Sequence, residues 1–141
     1  MTTTLGELTS KHGFEVLEHL EAEAHVPVHA GLQAQGDLFI VPLKDTSPLL
    51  GRSRDVKPVP PDGIAVIEAV GSGHEHRLFA GVPGTATFGP ASASGQDIGV
   101  LTCTEPAYLL HPEHGGTGIA PGSYVLRRQR EQADEERLVA D

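Results

Sequence analysis

Two short stretches concentrate the residue types that chemistry uses most, Gly73-His74-Glu75-His76 and His111-Pro112-Glu113-His114-Gly115. Each holds two imidazoles and one carboxylate beside glycine. Residues two apart on a strand share a face, so His74 and His76 can point to one side. His111 and His114 are three apart, which a strand sends to opposite faces; a turn beginning at Pro112 brings them back together. Neutral imidazole suits zinc or iron, and three or four His and carboxylate ligands make a usual set. The first reading is therefore a mononuclear site for a divalent transition metal, held by His74, His76, His111 and His114. Glu113 serves there as a ligand or as a ligand's hydrogen-bond partner. The chain has no HExxH and no cysteine pair, so no diagnostic zinc pattern supports it.

The same residues allow two other readings. Paired histidines can act as general acid and general base without metal, as in a ribonuclease, with Arg77, Arg127 or Arg128 holding a phosphate. They can also be polar turn residues that shape an interface, in a non-enzymatic interaction or oligomerisation module with a homo-oligomeric or protein partner. Whether the chain is an enzyme stays open at this point.

Either kind of site needs adjacent strands to join two distant motifs, and the rest of the chain supplies strand signals. Leu38–Leu43, Ile64–Val70, His76–Ala80, Asp97–Thr104, Ala107–His111 and Tyr124–Gln129 read as strands, and Thr85–Phe88 as a short one. Gly36-Asp37, Asp62-Gly63, Glu105-Pro106 and Pro121-Gly122 punctuate them, and Gly71–His74 forms a hairpin tip. Pro42 places its strand at an edge or ends it. Residues Pro112–Gly118 read as a turn. Val16, Leu17, Leu20 and Ala24 recur at near-helical spacing within Phe14–Ala24. The expectation is an all-β fold, a small barrel or sandwich of short antiparallel strands with a short N-terminal helix. Residues 1–13 form a flexible lead, 14–130 a single β-rich domain and 131–141 a charged tail. Strand order is not legible.

Composition narrows the function classes. With 141 residues, one core is expected. Gly 17 and Pro 11, evenly scattered, break helices and favour many short elements. Asp+Glu 19 against Lys+Arg 10 gives a net charge of -9, which disfavours general nucleic-acid and anionic-membrane binding. Arg127, Arg128 and Arg130 are the local exception, read as a strand end paired to nearby acids. The single cysteine, Cys103, cannot form an intrachain disulfide, and neither a leader nor an apolar run of about 18 residues is visible. A cytoplasmic protein without a membrane span is expected.

The second half resembles a small family of uncharacterised bacterial proteins. The resemblance rests on Gly71–Leu78, on His111-Pro112-Glu113-His114-Gly115, on Pro121–Glu131 with its Tyr124-Val125-Leu126-Arg127-Arg128-Gln129-Arg130-Glu131 run, and on the closing Val139-Ala140-Asp141. It covers residues 63–141. Members usually carry tyrosine where this chain has Gln132. The resemblance implies that the two histidine motifs belong to one site, and implies no activity. A cupin-like His-x-His arrangement is the nearest characterised analogy, but Arg77–Thr104 contains no glutamate to complete that ligand set.

Overall fold

The computed structural model describes residues 3–13, 25–46, 55–67, 75–90 and 97–128. Thirteen strands and one α-helix are found there, in the order β1 (Thr3–Thr4), α1 (Leu5–His12), β2 (His25–Val26), β3 (Val28–His29), β4 (Gln33–Gln35), β5 (Leu38–Pro42), β6 (Lys57–Pro58), β7 (Ile64–Ile67), β8 (His76–Ala80), β9 (Ala86–Pro90), β10 (Asp97–Cys103), β11 (Ala107–His111), β12 (Gly115–Ile119) and β13 (Gly122–Arg128). A six-stranded sheet runs β4-β5-β13-β10-β9-β6, and a five-stranded sheet runs β3-β12-β11-β8-β7. The neighbours are antiparallel except β12 with β3, which run parallel. Among the described residues neither sheet closes on itself, so of the two expected all-β architectures the chain adopts the sandwich.

The core lies between the two sheets. Alternation on β8 and β11 turns Leu78, Ala107 and Leu109 inward, to meet Leu38 and Ile40 of β5, Leu101 of β10 and Leu126 of β13. Fully burying side chains of this kind contributes on the order of 1.5–3 kcal/mol each. The opposite face of the five-stranded sheet is covered as well. Leu5 and Leu8 of α1 and Val26 of β2 pack on Phe79, Tyr108 and Leu110.

Several expectations need correction. The N-terminal lead carries a helix over Leu5–His12, whereas the Phe14–Ala24 periodicity lies outside the described residues. The helix begins with a capping box: Thr4 accepts from the Glu7 N–H, and the Glu7 carboxylate accepts in turn from the Thr4 N–H. It ends at Gly13 with φ 64°. The Pro112–Gly118 turn is tighter than expected, because Gly115–Ile119 is strand β12. Its glycines mark close approach: a Cβ on Gly118 would lie 2.5 Å from the Pro27 carbonyl oxygen. The Gly71–His74 hairpin tip also falls outside the described residues. Pro42 ends β5 as expected, beyond the reach of β4, whose pairing stops at Gln33 with Ile40. Among the described residues, no helix is long and apolar enough to cross a membrane.

Candidate functional site

Strand register brings His76 of the first motif together with His111 and His114 of the second. In the β8–β11 ladder Arg77 pairs with Leu110 and Leu78 with Leu109, so one further step sets His76 opposite His111. His111 in turn pairs with Gly115 across the β11–β12 turn, which returns His114 to the same end. The ring centroids are 4.3 Å apart for His76 and His111, 4.5 Å for His111 and His114, and 6.3 Å for His76 and His114. His76 and His111 are buried, at 2% and 6% exposure, because they continue the inward-facing rows of Leu78 and Leu109. His114 and Glu113 are exposed. His74 lies outside the described residues.

The opposite sheet completes the centre with two residues that the sequence reading did not select. Gln35, the last residue of β4, is 3% exposed. Its Nε2 donates to the Leu109 carbonyl at 3.0 Å and to Thr117 Oγ1 at 3.0 Å. Asp37 follows in the two-residue β4–β5 loop, where Gly36 takes the left-handed φ of 58°. A Cβ on Gly36 would lie 2.8 Å from His114 Nε2 and 3.4 Å from His76 Cε1. The loop therefore lies against the rings in a way that only glycine permits.

The hydrogen bonds fix how the rings carry their protons. Gln35 Oε1 is 2.9 Å from His76 Nδ1. Turning the amide over would set its oxygen against the Leu109 carbonyl, so Oε1 accepts and His76 Nδ1 carries the hydrogen. His76 Nε2 then faces Asp37 Oδ1 at 3.2 Å. Burial pushes the His76 imidazole below its ordinary pKa, the Asp37 carboxylate pulls it up, and His114 and Arg128 push it further down. A neutral His76 so oriented presents a lone pair to a carboxylate oxygen. Two acceptors at that distance repel unless positive charge stands between them.

His111 has the opposite arrangement. Its Nδ1 accepts from the backbone N–H of Glu113 at 3.0 Å and of His114 at 3.2 Å. That nitrogen is closed to a ligand, and the neutral ring carries its hydrogen on Nε2. Glu113 thus joins the centre through its backbone N–H. Arg128, on the same face of β13 as Tyr124 and Leu126, stands 3.4 Å from Asp37 Oδ2, as expected of a strand-end arginine paired to an acid. Among the described residues, no group of three His, Cys, Asp or Glu side chains is arranged to hold a metal ion. His76, Asp37, Gln35 and the two turn histidines instead form a polar centre at one end of the sandwich.

An antiparallel β-sandwich with a buried imidazole centre is the class of protein that fold and site define. Residues 34–129 match the family described as Domain of unknown function (DUF8820), and the chain belongs to it. The matched span includes Gln35, Asp37, His76, His111 and His114. No curated protein and no solved structure matches the chain.

Proposed function

We propose that the domain binds a divalent transition metal, zinc or iron, at the histidine centre. The observation that carries this reading is the facing pair of acceptors, His76 Nε2 and Asp37 Oδ1, 3.2 Å apart. Metal bonds of about 2.0–2.2 Å to nitrogen and oxygen, meeting at about 100°, give that same separation between donors. Burial favours the neutral, ligating form of His76, and Gln35 directs its Nε2 lone pair toward Asp37, as hydrogen-bond partners of metal-bound histidines do. His114, the exposed ring of the trio, becomes the third ligand in this reading once its ring turns toward the His76–Asp37 pair, with His74 as the fourth. His111 is a positioning residue that holds the β11–β12 turn. Asp37 takes the carboxylate role that the sequence alone gave to Glu113.

The test is metal analysis and calorimetric titration with zinc and with ferrous iron, on full-length chain purified without a histidine tag. About one equivalent of either metal, with affinity reduced at least tenfold in Asp37→Asn and unaltered in Glu113→Gln, is the expected result. A chain that takes up neither metal refutes the proposal, and leaves a proton as the cation between His76 and Asp37.

A further inference from the structure

A second site lies away from the histidine centre, where the end of α1 meets the segment leading into β7. Lys11 and His12 of α1, Pro58, Val59, Pro60 and Pro61, and Ala80, Pro83 and Gly84 enclose a cavity of about 360 Å³. That volume falls at the lower end of small-molecule sites, which are mostly apolar with a few placed polar groups. Four prolines line it, and their fixed φ gives walls that lose little freedom when a ligand binds.

The charge at this cavity is that of Lys11. In a chain of net charge -9, no carboxylate lines this cavity among the described residues, whose two titratable groups there are Lys11 and His12. The Lys11 ammonium donates to the Gly81 carbonyl at 2.5 Å, which uses one of its three hydrogens. The His12 ring stacks on Phe79 with centroids 4.0 Å apart, and its buried Nε2 has no hydrogen-bond partner. The Lys11 ammonium therefore leaves donor capacity at one end of an apolar, preformed space.

We propose that this cavity binds a small carboxylate with an apolar body, the acid group on Lys11 and the body between the Pro58–Pro61 wall and Pro83. The ring of His12 forms the floor. None of these residues belongs to the histidine centre, so the inference stands independently of metal binding.

The experiment is an amide-resolved NMR titration of the full chain with phenylacetate, and with 2-phenylethanol as its uncharged counterpart, in the presence of EDTA. Saturable shifts are expected at the amides of Lys11, His12, Ala80 and Gly84, with at least tenfold tighter binding of the acid. Lys11→Met keeps most of the apolar stem and removes the charge, so its spectrum is otherwise that of the wild type and its preference for the acid disappears. Absence of saturable shifts at these amides, equal affinity for acid and alcohol, or an undiminished preference in Lys11→Met would each overturn the proposal.

Discussion

Replacing Gly36 by alanine separates two effects that meet at one backbone position. The first is conformational: φ is 58° there, and a Cβ in the left-handed region costs roughly 1–2 kcal/mol. The second is contact, since the added carbon would lie 2.8 Å from His114 Nε2 and 2.9 Å from His114 Cδ2. His114 is exposed, so its ring can swing away, and the contact displaces the ring more than it unfolds the domain. Gly84→Ala is the matched control. Gly84 has φ 81°, and a Cβ there meets nothing within 4 Å. Both variants should lose about 1–2 kcal/mol in denaturant titrations, roughly 3–8 °C in Tm for a domain of this size. Only Gly36→Ala should move the His114 ring resonances and, on the proposed metal reading, weaken zinc binding by at least tenfold. If Gly36→Ala leaves both the His114 resonances and the metal affinity as in the wild type, the packing of the β4–β5 loop on the rings is wrong.

Gln35→Ala removes the donor to Leu109 and Thr117 and the acceptor of His76 Nδ1; buried groups left unsatisfied should lower stability by about 2–4 kcal/mol in urea titrations. Thr4→Ala breaks the capping box of α1 and should cost about 1 kcal/mol, read as a lower urea midpoint at constant m. His12→Phe should raise stability at pH 7 by about 1 kcal/mol, because it keeps the stack on Phe79 and removes a buried nitrogen without a partner. Burial and Lys11 hold the His12 pKa below its ordinary 6.5, against the opposing pull of the Pro61 carbonyl. Its contribution is therefore complete above the ordinary histidine range. As pH falls through 6.5, the unfolded chain takes up a proton before the folded one does, and stability declines. The decline between pH 7 and 5 should be shallower in His12→Phe, and an unchanged slope would show that His12 does not titrate differently on unfolding.

Much of the site was legible because strand register follows from local pattern. His76-Arg77-Leu78 and Leu109-Leu110-His111 both read as strands, and antiparallel pairing sets His76 beside His111. Gly36-Asp37 was also readable as a turn. What it touches was not, since Gln35 and Asp37 reach His76 from the other sheet and strand order is invisible in one sequence. Glu113 looked like a ligand by residue type, but the turn that returns His114 directs the Glu113 N–H at His111 Nδ1, a backbone contact that composition cannot announce. Gly115-Gly116-Thr117-Gly118 read as loop because glycine weakens strands; here it is tolerated because β3 and its flanking Pro27 approach too closely for a side chain at Gly118. The helix at Leu5 did have a readable sign, Thr4 followed three residues later by Glu7.

The family match starts at residue 34, which sets the first helix and its two flanking strands outside it. Yet Leu5, Leu8 and Val26 are what shield Phe79, Tyr108 and Leu110 from water. A fragment cut to the matched span would present two aromatic rings and a leucine on a bare sheet surface, the kind of sticky patch that draws chains into aggregates.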